Sequence, residues 1–128
     1  MTVEEARALM REWVASESLR GHMEAVAACM GAYAGRLAAG KEDRWVVCGL
    51  LHDFDYERHP TKDEHPFVGV KELERRGIDE EIRTAILGHA DYSGVARESA
   101  MAKALYACDE LAGFIVACAK VRPNGIGD

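Results

Sequence analysis

Five histidines stand in the 128-residue chain, at positions 22, 52, 59, 65 and 89, and His52 is followed directly by Asp53. The dipeptide falls in GLLHDFDYERHP, residues 49–60, where an apolar run turns abruptly into charge. Burying either side chain alone is costly. A metal ion would receive both, whereas a helix end that reaches water would explain them without one. Asp109 poses the question more sharply. Met101, Leu105, Cys108, Ala112 and Val116 recur at helical spacing, and Asp109 falls in the middle of that stripe. An unpaired buried carboxylate is costly or drifts in pKa until it is neutral, so it needs a cation. Neither Lys103 nor Lys120 lies one turn away to supply it. His22 sits beside Met23 at the edge of an apolar face, and His89 continues the face of Ile82 and Ile86. Taken singly, each has a plain structural reading: a hydrogen-bonded core histidine, a partly solvated aspartate, the end of a helix. Together, imidazole nitrogen and carboxylate oxygen form the ligand set of Zn, Fe, Mn, Co or Ni.

The elements that must position these residues read as helices throughout. Thr2 and Glu5 form a capping box that opens a helix to about Ala15. Ser16 or Ser18 caps a second, longer one, whose buried stripe is expected at Leu19, Met23, Val26, Met30, Tyr33 and Leu37, with Gly40 ending it. A third runs from about Glu42 to Phe54 through WVVCGLL. The charged stretch 55–65 is the main loop. Pro66 is expected as the first residue of a short helix, FVGVKELERR, closed by Gly77. Asp79 caps a fifth helix, EEIRTAILGHA. After the loop DYSGVARE, a last long helix runs from about Glu98 to Val121, and the tail 122–128 frays. There is no strand-like alternation, repeat or low-complexity linker. The expected fold is all-α, a single compact bundle of five to six helices in one domain.

Composition agrees. Hydrophobic residues make up 48% of the chain and aromatics only 7%, a balance that favours packed helices over a β-sandwich. A formal net charge of −6 argues against a nucleic-acid polymer or an anionic membrane as partner. It leaves room for an anionic substrate if metals supply local positive charge. Cys29, Cys48, Cys108 and Cys118 form no C-x-x-C pair and lie in apolar segments, as reduced thiols of a cytosolic protein do. MTVEEARALM lacks the basic start and apolar run of a signal peptide, and LAGFIVACA is too short to span a bilayer. A soluble, cytoplasmic protein is expected, with no partner or sensor domain beyond VRP.

In this order, His22, His52-Asp53 and Asp109 resemble the H…HD…D signature of the HD-domain superfamily, metal-dependent enzymes on an all-α core. The resemblance covers roughly residues 18–118. LLHDF resembles that family's segment around the dipeptide, and ACDELAGF its stretch around the last aspartate. HPFVGVKEL and ILGHADYSG resemble the elements that carry the middle histidines. His59 stands outside the pattern and is expected in solvent. The resemblance implies a first metal held by His22, His52, Asp53 and Asp109, and a second bridged by Asp53 and completed by His65 and His89. Two divalent metals per chain are expected, Fe or Mn first, with Co, Ni, Zn or Mg also compatible. Two departures matter. Where many two-metal members read HD-x-G-K, this chain reads His52-Asp53-Phe54-Asp55-Tyr56, without the lysine. Ala90 stands where some carry a second histidine after His89, which argues against a cyclic-di-nucleotide phosphodiesterase.

The activity so implied is a phosphohydrolase for a small phosphate ester or nucleotide, with Asp53 and His52 at its catalytic centre. A water bridging the two metals, its pKa lowered towards neutrality, would attack phosphorus. Arg20, Arg58 and Lys62 are the nearest basic residues in sequence to grip the phosphate. Asp55 or Asp91 could orient water or take a proton, although a loop-capping role is favoured for both. The implied partner is a small anionic phosphorylated substrate; a homo-oligomer is compatible but nothing requires it. Two other classes fit the same ligands: an HD-type diiron oxygenase opening a C–H or C–P bond, and a non-catalytic metal-stabilised ligand-binding module.

Overall fold

The computed structural model describes the backbone of residues 1–121 and the side chains of residues 1–113. The expected frayed tail and the side chains of Val116, Cys118 and Lys120 lie outside the described residues. Six α-helices follow one another: α1 Val3–Trp13, α2 Glu17–Leu37, α3 Glu42–Leu51, α4 Phe67–Arg75, α5 Glu80–His89 and α6 Ala100–Val121. A 3-10 turn, Asp91–Ser93, follows α5, and there is no strand among the described residues. The all-α expectation holds. Among the described residues no helix is long and apolar enough to cross a membrane.

Local chemistry sets the helix ends. Thr2 Oγ1 accepts from Glu5 N at 3.1 Å while Glu5 Oε1 accepts from Thr2 N at 2.9 Å, the reciprocal capping box read from the sequence. α1 stops short of Ala15. The Glu57 carboxylate takes the N–H groups of Ala15 and Ser16 at 2.8 and 2.9 Å, which pins an extended link before α2. Ser16 rather than Ser18 caps α2, accepting from Leu19 N. Along α2, Met23, Val26 and Met30 are buried as expected, but Tyr33 and Leu37 are 38% and 60% exposed. The buried face instead follows Ala27 and Ala34, because steps of three and four from Met30 reach opposite edges of it and only the small residue turns inward. α4 begins at Phe67, with Pro66 at its N-cap. It closes through Gly77 at φ +84°, whose N–H donates to Glu74 O, and Ile78 N–H donates to Leu73 O, the pairing of a Schellman end. Asp79 occupies the N-cap of α5 but makes no side-chain cap bond. Its carboxylate is held by Arg44, which also binds Glu81, so the starts of α3 and α5 are clamped together.

α3 is the element on which the others rest. Trp45, Val47, Cys48, Gly49, Leu50 and Leu51 are all buried, and the helix touches α1, α2, α5 and α6. A helix apolar on every side has to be surrounded. α3 ends at Leu51, not Phe54; the chain then winds through successive turns that bury Phe54 against Trp13, ring centroids 4.8 Å apart. Gly49 fixes how close α2 comes: a Cβ there would lie 2.6 Å from Ala27 Cα and 2.8 Å from its nitrogen. The two helices cross backbone to backbone at that point, antiparallel, so that His22 and His52 share one end of the bundle. On the far side of α2, Cys29 and Cys108 bring their sulfur atoms to 2.7 Å as free thiols. Burial pushes the Cys48 and Cys108 thiols far up, consistent with reduced, inert sulfur.

Because the Gly49 contact is backbone on backbone, Gly49→Ala should lower stability by about 1–3 kcal/mol, read from the urea midpoint. Gly21→Ala, where a Cβ meets nothing within 4 Å, should instead gain a fraction of about 1 kcal/mol from helix propensity. Equal midpoints for the two variants would mean that α2 and α3 do not touch at Gly49.

Candidate metal centre

Five segments converge at the end of α3. His22 comes from α2, His52 caps the C-terminus of α3 with Asp53 next to it, His65 directly precedes the α4 cap, His89 is the last residue of α5, and Asp109 lies on α6. His52 is fully buried, and the Asp53 and Asp109 side chains retain 16% and 29% exposure. Their ligand atoms form two groups, His22, His52, Asp53 and Asp109 in one, and Asp53, His65 and His89 in the other, with all atoms of a group within 4.8 Å of one another. Asp53 is common to both, and its two oxygens divide between them. Oδ1 lies 3.1 Å from His65 Nε2 and 2.9 Å from His89 Nε2, whereas Oδ2 lies 3.5 Å from His52 Nε2 and 3.8 Å from His22 Nε2. Asp109 Oδ1 closes the first group at 2.9 Å from His22 Nε2 and 3.5 Å from His52 Nε2.

The outer nitrogen of three rings decides what the inner one offers. His52 Nδ1–H donates to Gly49 O at 2.7 Å, His89 Nδ1–H to Ile86 O, and His65 Nδ1–H to Asp55 Oδ1 at 2.6 Å. A backbone carbonyl or an ionised carboxylate only accepts, so each neutral ring there turns a lone pair, not a proton, towards the cluster. Lone pairs of His65 and His89 then face a lone pair of Asp53 at about hydrogen-bond distance. That contact requires either a proton on each ring or a cation between ring and carboxylate. Protonating the rings together is unfavourable, since the His22–His52, His52–His89 and His65–His89 centroids lie 5.1, 5.2 and 5.5 Å apart. A divalent metal resolves all of these contacts at once, and imidazole with carboxylate suits Fe, Mn, Co, Ni or Zn. The residues present therefore fit a metal.

Without metal, protons take that place. Burial opposes charge on His65, but Asp53 and Asp55 outweigh it and raise its pKa to about 9. Burial likewise opposes charge on His89, and the Asp53 bond again wins and raises it. The Asp109 bond raises His22. Burial would raise Asp53, yet the surrounding His52, His65 and His89 hold it well below the usual carboxylate range; Asp109 is depressed in the same way, against its burial, by His22 and His52.

One participant was misjudged from sequence. Asp55, favoured there as a loop cap, is 1% exposed and takes both His65 Nδ1–H and Gly69 N–H, the latter at 2.8 Å. It fixes the ring of His65 as a carboxylate behind a metal-binding histidine does. The close fit shows only in the structure: a Cβ at Gly69 would sit 2.9 Å from the Asp55 carboxylate. The basic candidates part company. Arg20 donates to Val14 O and Arg11 O, and Arg58 donates to Glu12 O and lies over Trp13. Neither is brought to the cluster. Lys62 lies 5.6 Å from the ring of Tyr92, which helps to wall a cavity of about 350 Å³ above Asp53, His65 and His89. Asp91, in the same wall, pairs with Arg97. His59, expected in solvent, is part-buried and bonded to Glu64, well placed to hold the loop but outside both groups.

A helical bundle whose segments converge on a histidine–aspartate cluster fit for divalent metal is the class that fold and site define. A family model described as HD domain matches residues 19–113, and the chain belongs to that family, whose superfamily is in general one of metal-dependent hydrolases. No curated protein and no solved structure matches it.

Two outcomes follow from the cluster. Asp55→Asn puts an amide NH2 against one of two N–H donors, so the site formed with His65 should lose about 10- to 100-fold in metal affinity, measured by metal titration, while that formed with His22 changes little. Stability should also depend on pH in opposite senses with and without metal. The raised His65 stabilises the metal-free chain fully below its ordinary 6.5, and this contribution is lost as pH rises through about 9. With metal bound, ligation displaces those protons and stability should rise over the same window. Melting curves with chelator and with added Mn check both slopes; parallel slopes would rule out metal at these rings.

Proposed function

We propose that the chain is a metal-dependent phosphohydrolase for a small anionic phosphate ester, working with two divalent metals, Fe or Mn. The observation that carries this reading is the division of Asp53, one oxygen to each histidine group. A carboxylate can bridge in that manner and an imidazole cannot. His22, His52, Asp53 and Asp109 would hold one metal, and Asp53, His65 and His89 the other. Metal there would supply an activated water near neutral pH and offset charge on the phosphoryl oxygens.

The chain's own residues do the remaining work. His52, locked by Gly49 O, and His65, locked by Asp55, keep their inner nitrogens aimed without reorganisation during turnover. Tyr92 donates to His65 O at 2.6 Å and so stiffens the same loop from the opposite wall. Lys62, beside Tyr92, is the basic residue suited to meet the phosphate, while Asp91 in the cavity wall is held by Arg97.

The test joins metal content to turnover. Protein purified without chelator is expected to carry about two Fe or Mn per chain by plasma mass spectrometry, and to release inorganic phosphate from a panel of small phosphate esters. Asp53→Ala should empty both sites and reduce phosphate release by at least about 100-fold. His89→Ala should mainly deplete the second metal. An Asp53→Ala protein with full metal and full rate would sink the proposal.

A further inference from the structure

A second and larger cavity, about 700 Å³, opens beside the cluster between the start of α2 and α6. It shares the His22 ring with the first metal group, and Tyr56 lines both this cavity and the smaller one above Asp53. The two spaces are thus neighbours across one aromatic ring. The larger has the size of a small-molecule site. Its apolar surface comes from Leu19, Ala25, Ala112 and the bare backbones of Gly21 and Gly113, with Ser16 and Ser18 at the helix start. No lysine or arginine is among the described residues lining it, while Glu17 and Glu57 are.

Among the described residues, the feature of this cavity that would attract an anion is the N-terminus of α2, and carboxylates stand beside it. The N-terminus of α2 is partly answered by the chain itself, since Ser16 Oγ accepts from Leu19 N and the Glu57 carboxylate accepts from Ala15 and Ser16 just before the helix. Arg20, the nearest cation on the same helix, turns its guanidinium to carbonyls at the end of α1. A second phosphate would meet the carboxylates of Glu17 and Glu57 there. We infer that the substrate is a phosphate monoester of an uncharged, apolar alcohol, alkyl or aryl, whose phosphate meets the metal cluster while its remainder fills the cavity between α2 and α6. Nucleoside di- and triphosphates do not suit it. The inference rests on the phosphohydrolase reading for its phosphate end and on the cavity alone for the rest.

Non-cleavable phosphonates separate the two. Calorimetry on the Mn-loaded protein should show hexylphosphonate binding at least about tenfold more tightly than methylphosphonate, as burial of the added methylenes requires. Gly21→Leu fills the cavity from a position where a Cβ meets nothing within 4 Å, and leucine is the better helix former, so the variant should fold and lose that increment. Equal affinities, binding of neither phosphonate, or tighter binding of adenosine diphosphate would overturn the inference. Hydrolysis of hexyl phosphate is followed in parallel. A chain that prefers hexylphosphonate yet cleaves no ester keeps the cavity assignment and loses the hydrolase.

Discussion

The buried carboxylate of Asp53 is the constraint around which the structure is organised. It stands within 4 Å of four imidazole nitrogens, and it stays ionised although burial works against that. An anion in such a place has to be answered by positive charge, and the surrounding segments are arranged to bring it. α2 contributes a ring, α5 another, and the loop before α4 a third, each from a different direction. None of these three histidines comes from α3, whose last turns carry the buried apolar side chains of the core. The bundle can therefore be seen as a means of collecting cation ligands from distant parts of the sequence around one carboxylate.

α3 makes that collection possible by being buried on all sides. Its apolar run WVVCGLL gives it no face for water, so helices must pack around it, and its C-terminus delivers His52 and Asp53 to the point where they meet. Position depends on the approach of α2, and this is set by the absence of a side chain at Gly49. The hydrogen bond from His52 to Gly49 O uses the same residue for orientation. One glycine thus governs both the distance between the first two histidines and the direction in which one of them points.

These relations were unequally legible in the sequence. Helix count, the capping box at Thr2 and the glycine end at Gly77 were readable because each depends on residues within a few positions of one another. The six candidate ligands were readable through their order and their resemblance to a family, and the structure brings all of them to one place. Arg20 and Arg58 were drawn in by nearness in sequence to His22 and the His52-Asp53 pair. Their guanidinium groups instead stabilise carbonyls near the end of α1, a partner invisible without the fold. Tyr33 and Leu37 misled because apolar character sets which residues can be buried, while the span of the neighbouring helices sets which are. Asp55 was hardest: its partners His65 and Gly69 are 10 and 14 residues away, across a loop with no periodicity to read.

The electrostatics of the site also bear on how an acidic chain would take the anionic substrate proposed for it. A formal charge of −6 spread over the surface repels a polyanion at long range, but such repulsion is screened beyond about 10 Å at moderate salt. Within the site the balance differs. Asp53 and Asp109 set two negative charges against the two dications proposed there, leaving a local excess that matches a phosphate dianion. The described lining of the adjoining cavity has carboxylates and apolar walls and offers no such excess. On the proposed reading the molecule would discriminate by position: one phosphate would be favoured at the cluster, and further negative charge on the same ligand opposed only a side chain away. Attraction confined to so small a volume selects for ligands that carry their charge at one end.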